Sequence, residues 1–576
     1  VSGTGLLGFR HEAVSHVTGT SSLVSLAGAV TSPRVGANAP LLPALAVVGG
    51  HDVVRRRQAP AILILLLLRP PPRAPFRMTP SGDVSPRPPL VRHLGLIGLA
   101  ATGICSMLGA AINTIPFTMQ RNVPGIDGFV LPAYVLAAVP ALLSALAYAA
   151  LASAMPRAGG SYIYASRGLS PYLGFVASFS QWFGLSIAIG VVSYLIPAFL
   201  RDVATPLELH GLAEVFDGPV GRPLIALAIL WTFVLVNLRG TQLYEKLLIP
   251  LMVLMFVLGG VVIVAGFAHN HTDFATALLA REGRTVPEVT RSAPGFITLL
   301  AATPVLFASF IGFDSIAQAG GEARNPSRNL PLAIGIAVLS VGAYYMLFTA
   351  AVYHAVPWQY IAEQALVRDV TAPGLLSYLL SPAWTVAIVA GAAVALINDL
   401  PAMLLAVSRL MFAWSDDGIF PRIFARVHPA WRTPHLAIIA SGIVASLAII
   451  GSHLAGDFFL GVDILVTSML VTYALMALTV LTLPSRNPAL AREITVLRSA
   501  ALRVPVAAAA LLLTGGLLVV HVLKDMNATT SAWYFHSTPV WVIVLLAASL
   551  IHWRERRTLE RAGIDVKAKF AVLPPE

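Results

Sequence analysis

The run LGLIGLAATGICSMLGAAINTIPFTM, residues 94–119, contains no charged side chain, and its length decides which solvent this protein meets. A helix of about 20 apolar residues crosses a hydrocarbon core roughly 30 Å thick with every peptide group bonded internally. The run is also interrupted. Gly109, Ala110 and Ala111 lie at mid-length, ahead of Pro116, where small or ring-closed residues weaken helical hydrogen bonding.

Working outward, comparable apolar runs occupy 129–154, 172–200, 223–238, 247–268, 296–319, 332–355, 384–414, 435–450, 458–483, 504–522 and 539–552. With 57% of its 576 residues hydrophobic and 11% charged, the chain lacks the polar surface of a soluble domain. The expected fold class is an all-α integral membrane protein of about 12 transmembrane helices. The formal charge of +11 does not indicate nucleic acid, because no basic helix with interleaved aromatics accompanies it. Its Arg and Lys fall in alternate loops, among them Arg157, Arg167, Arg239, Lys246, Arg324, Arg328, Arg422 and Arg426. That asymmetry predicts a cytoplasmic (inner) membrane protein with both termini in the cytoplasm. One cysteine, Cys105, excludes intrachain disulfides.

Residues 1–77 differ from the rest. They are rich in Pro, Arg, Ser and Gly, and their apolar stretch 61–68 is too short to span. The expectation is a disordered or spurious extension, with Met78 as the start and 78–93 as a cytoplasmic segment. A signal peptide is the rival reading, but no small-x-small site follows the apolar stretch.

The span 296–319 repeats the oddity of the first, with Pro304 and then Ser309 to Gly312 near its middle. The two interrupted spans are five apart, so the second begins with opposite orientation, which points to an inverted repeat with a midplane binding site. Unwound backbone there offers N–H groups to a carboxylate and C=O groups to an ammonium. For either span alone, the general abundance of Gly and Pro in membrane helices is an equally good explanation.

Four stretches carry a resemblance to the amino acid, polyamine and organocation (APC) superfamily of permeases. They are Ser106 to Ile112, Met155 to Tyr164, Phe310 to Pro331, and Ser408 to Ala413 with Asp417, Gly418, Thr433 and Pro434. The resemblance implies five plus five inverted helices, 94–268 and 296–483, followed by two more in 504–552 and a cytoplasmic tail, 553–576. It also implies alternating access, with a small-molecule amino acid or amine bound between helices one and six and no cofactor. Carried over, the amides near Gly109, Ala110 and Ala111 would take the substrate carboxylate, and carbonyls near Phe307, Ala308 and Ile311 would accept from its ammonium, within the break Ser309 to Gly312. Asn113 stands where the family usually has a bulky apolar residue, and would add a polar group to the pocket. Met255 falls where proton-coupled relatives often carry a lysine.

An intramembrane carboxylate costs about 2.5–3.5 kcal/mol on insertion scales, so each is a functional candidate. Asp399, beside Asn398 and before Pro401, lies at the middle of the eighth span, and Asp314 follows the break in the sixth. Both are candidates for coupling to a proton or sodium. The competing readings are a carboxylate bonded to a nearby Ser or Thr, and a cap on exposed amides. Glu322 with Arg409 could form a gate, although solvated loop charge is the simpler expectation. His269, Asn270, His271 and Asp273 resemble a metal corner but cannot close a ligand set. Without a Gly-rich phosphate loop, a Cys/His cluster or a nucleophile elbow, the chain is not expected to be an enzyme or to use ATP. The reading is proton-coupled import of a neutral or small polar amino acid. An antiporter or facilitator for amino acids, polyamines or organic cations is the alternative, and a non-transporting receptor subunit is a second class.

Overall fold

The computed structural model describes residues 90, 92–109, 111–204, 207–288, 295–367, 370–455, 459–528 and 536–574, so the expectations for 1–77 and for Ala110 lie outside the described residues. Among the described residues there are twelve helices long and apolar enough to cross a membrane, and no strand beyond two isolated bridges. They are α1 (Leu96–Met107 and, past a break, Ala111–Asn122), α2 (Val130–Ala154), α3 (Pro171–Ala204), α4 (Gly221–Leu238), α5 (Thr241–Ala268) and α6 (Phe296–Phe307, then Ser315–Gln318). The series continues with α7 (Pro326–Ala355), α8 (Pro382–Asp416), α9 (His435–Ala455), α10 (Phe459–Arg486), α11 (Ala500–Met526) and α12 (Ser537–Arg561).

Several helices begin earlier than their apolar runs. α5 starts after Gly240, whose φ of 107° only glycine adopts easily, and α7 starts with Pro326 in its first turn, where a missing N–H costs nothing. Hydropathy marks what lies in hydrocarbon, whereas capping marks where the helix stops. The loop after α5 contains a further helix, His271–Glu282, opened by a reciprocal cap: Asn270 accepts from Thr272 N and Asp273 N, and Asp273 accepts from Asn270 N. The His rings nearby lie against the carbonyls of Ala265 and Tyr353. This stretch is a helix start rather than a metal corner.

α1, α3 and α8 are the most enclosed spans, whereas α4, α5, α11 and α12 present most of their apolar surface outward. α3 packs along α8, α9 and α10, and α7 packs along α2, α1 and α5. Such outward Leu, Ile and Val side chains are stable only against lipid. Trp182 is buried, packed on Phe179 and Trp414 with its N–H donated to Ser441.

The two interrupted spans meet at their interruptions. α1 loses helical form at Leu108 and Gly109. α6 tightens to a 3-10 turn over Ala308–Phe310, extends at Ile311 (ψ 133°) and turns at Gly312 (φ 133°). A side chain on Gly312 would overlap the backbone of Ser106 and lie 2.9 Å from Met107 N. Both the dihedral and the contact therefore demand glycine. Gly283 has a comparable φ of 68° with open space around it. Gly312→Ala is expected to lower stability by ~1–3 kcal/mol or more, and Gly283→Ala by only about 1 kcal/mol. Thermal unfolding of the purified variants in detergent would show the larger loss at Gly312.

Candidate functional site

Breaking a helix in a membrane frees peptide groups that must find other partners. At the α1 break, Tyr345 of α7 donates its hydroxyl to Met107 O at 2.8 Å. Ser106 and Ser315 join the two breaks through hydroxyls 3.0 Å apart, and Tyr134 of α2 pairs with Ser309 at 2.9 Å. Ala308 O accepts from Ile311 N at 3.1 Å. Tyr134, Phe310 and Tyr345 form one aromatic cluster behind these contacts.

Asp314 closes the α6 break. It is fully buried, and Tyr473 of α10 donates to Oδ1 at 2.6 Å while Gly312 N donates to the same oxygen at 3.2 Å. Gln181 of α3 donates to Oδ2, and its own carbonyl oxygen accepts from Ser161 and Gln318. This carboxylate therefore bonds an exposed amide and ties α6 to α3 and α10.

Asp399 is arranged differently. Its carboxylate lies against the α-carbon of Gly109, so closely that any side chain there would overlap it. Oδ1 is buried and has no hydrogen-bond partner. Asn398 beside it donates to Cys105 Sγ at 2.9 Å. Asp399 lines a cavity of about 80 Å³ bounded by Gly109, Thr114, Ala308, Ile311, Met403 and apolar positions of α3 and α10. That volume is several times the roughly 10–15 Å³ a single water needs. A small organic molecule is the matching scale.

At the end of the bundle where α1 begins and α6 ends, the structure overturns the expectation of solvated loop charge. Arg409 and Glu322 form a two-pronged ion pair, at 2.6 and 3.2 Å, with side chains 1% and 2% exposed. Glu322 O also accepts from His93 N and Leu94 N, each at 2.9 Å. A second buried pair joins Arg167 to Asp417 at 2.6 Å, and residues of the carboxy-terminal tail cover it. Arg167 donates to Val572 O, Lys569 donates to Asp417 O, and the Arg167 guanidinium stacks over Phe570.

A profile of the family described as Amino acid permease matches residues 94–548, most of the chain. The chain belongs to the amino acid permease family. This places it in the APC superfamily, among transporters rather than enzymes. Among curated proteins it is similar to "Cationic amino acid transporter 4" of Mus musculus, 28% identical over 384 residues, which cover 64% of this chain and 57% of that one. It is also similar to "Cationic amino acid transporter 4, vacuolar" of Arabidopsis thaliana, 27% identical over 374 residues, covering 62% and 58%. A third relative is the "Low-affinity putrescine importer PlaP" of Escherichia coli (strain K12), 27% identical over 332 residues, covering 56% and 67%. The matched stretch spans under three fifths of the length of the first two.

In this permease the residues singled out in the sequence separate into three groups. Gly109, Ala308, Ile311 and Asp399 share the cavity wall. Phe307, Ser309 and Gly312 lie behind it, shaping the α6 break: Phe307 packs edge-on to Tyr473, and Ser309 bonds Tyr134. Asn113 faces a separate void of about 20 Å³ against α5, α7 and α8, where Met255 also lies. Its neighbour Thr114 faces the cavity instead, as do Val191 and Leu195 of α3 and Gly461 and Leu465 of α10. The α3 and α10 residues carry no distinguishing mark in uniformly apolar runs.

Removing one member of a buried ion pair strands the other's charge and costs about 3–5 kcal/mol, whereas replacing both by apolar residues is often neutral. Arg409→Leu is therefore expected to destabilise the permease by about that amount, and the double variant Arg409→Leu with Glu322→Leu to recover most of it. Denaturant unfolding of the three proteins would check the order.

Proposed function

We propose that this permease imports a small amino acid across the cytoplasmic membrane by alternating access, with a proton as the coupling ion and Asp399 as the group that carries it. The observation that carries the reading is the meeting of two broken helices at a cavity whose wall holds an unsatisfied carboxylate. The helices divide into inverted repeats over 94–268 and 296–483, with two added helices in 504–552 and both termini cytoplasmic. The substrate carboxylate is received at the start of the second half of α1, by amides of Gly109, Ala110 and Ala111, where the helix dipole favours an anion. Its ammonium faces the carbonyls of Phe307, Ala308 and Ile311.

In this reading Asp399 is the reason a neutral substrate needs a proton. Two like charges 4 Å apart at an effective dielectric of 20 repel by about 4 kcal/mol, a factor of roughly 10³ in affinity. A substrate carboxylate at Gly109 meets that repulsion unless Asp399 is protonated or is paired with a second positive charge. Asp314, already bonded by Tyr473, Gln181 and Gly312, fits the role of a clamp and stands second as a coupling site. The Arg409–Glu322 pair serves as the cytoplasmic gate.

In liposomes, the purified protein should accumulate a labelled small amino acid when an inward proton gradient is imposed. Asp399→Asn should abolish accumulation and retain exchange. Uptake that ignores the proton gradient but rises with sodium or with internal substrate would defeat the coupling assignment.

A further inference from the structure

The charge inventory of the cavity constrains its occupants further. Among the described residues that line it, Asp399 is the one ionisable side chain, and no Lys, Arg or His reaches the wall. The nearby titratable groups are Cys105 of α1, which accepts from Asn398, and Tyr345 of α7, which donates to Met107 O. Neither supplies a positive charge. The faces of α3, α6 and α10 on the cavity contribute apolar residues and a glycine. Two acceptors freed by the breaks already hold one donor each, Met107 O from Tyr345 and Ala308 O from Ile311 N. Oδ1 of Asp399 remains without a partner.

An unpaired charge in an apolar cavity is expensive, so the occupied site must gain one unit of positive charge from outside. We infer that Asp399 makes a proton and a fixed positive charge on the substrate interchangeable: a neutral amino acid enters with one proton on this carboxylate, and a singly cationic amino acid or amine enters with none. The inference rests on the cavity being the substrate site. Either loading leaves the cavity neutral, with the proton shared between the acid and the substrate carboxylate in one case and the ammonium paired with the ionised carboxylate in the other. The same site thus serves both substrate classes without a second binding pocket.

The test is isothermal titration calorimetry of the purified full-length protein at pH 7, in phosphate and in Tris, with L-alanine and with L-2,4-diaminobutyrate. Comparing heats in buffers of different ionisation enthalpy gives the protons exchanged per ligand bound. Whatever the state of Asp399 in the empty protein, alanine should take up about one more proton than the cationic ligand, because linkage counts the difference between the two bound states. In Asp399→Asn alanine should bind without taking up a proton, and the cationic ligand should bind far more weakly, with no proton exchanged. Equal proton counts for both ligands, binding of only one of them, or a difference that survives in Asp399→Asn would overturn the inference while leaving the site reading intact. If neither ligand bound the wild-type protein, the site reading itself would fail, and the inference with it.

Discussion

The constraint on which the rest of this structure depends is the obligation to satisfy peptide groups in hydrocarbon. A helix interrupted in water can hydrate its loose ends; one interrupted at mid-membrane must be rescued by its neighbours. Here the rescue is specific. Tyr345 takes the Met107 carbonyl, Asp314 takes the Gly312 amide, and Gly312 itself lies so close to Ser106 that the two interruptions become one contact. α2, α3, α7 and α10 are enlisted through Tyr134, Gln181, Tyr345 and Tyr473.

Asp314 and Asp399 divide by how well they are bonded. A carboxylate with three donors is a structural tie, whereas one that lines a cavity and keeps an unpartnered oxygen is a candidate for chemistry. The distinction needs coordinates, because both acids look alike as isolated charges in apolar sequence. Asp314 holds α6 to α3 and α10, whereas no hydrogen bond fixes Asp399 Oδ1.

How much of this was legible in the sequence depended on whether a residue announces its own role. The breaks were legible because small residues and Pro cluster at mid-length in two spans that lie five apart, and Asp399 because charge is conspicuous in apolar surroundings. Asn113 was assigned to the pocket, yet Thr114 faces it, because adjacent helical positions point about 100° apart and a broken helix gives no phase to count from. Val191, Leu195 and Leu465 were invisible since an enclosed span carries apolar residues on every side, so those that face a cavity bear no mark. The burial of Arg409 with Glu322 was missed because each lies near a loop, and only folding brings positions 322 and 409 together out of water.

The tail that crosses the Arg167–Asp417 pair has a mechanical corollary. Val572 and Lys569 bond directly to the two members of that pair, Asn487 just past α10 donates to Ala571 O, and Arg157 donates to Pro574 O. The tail around the short helix Val566–Ala571 is thereby stitched to the helix Gly160–Gly168 that precedes α3 and to the ends of α8 and α10 at once. Any rearrangement that spreads these three elements must first unpick those stitches, so a bulky label fused just past Pro574 would load the seam whose loosening it was meant to observe.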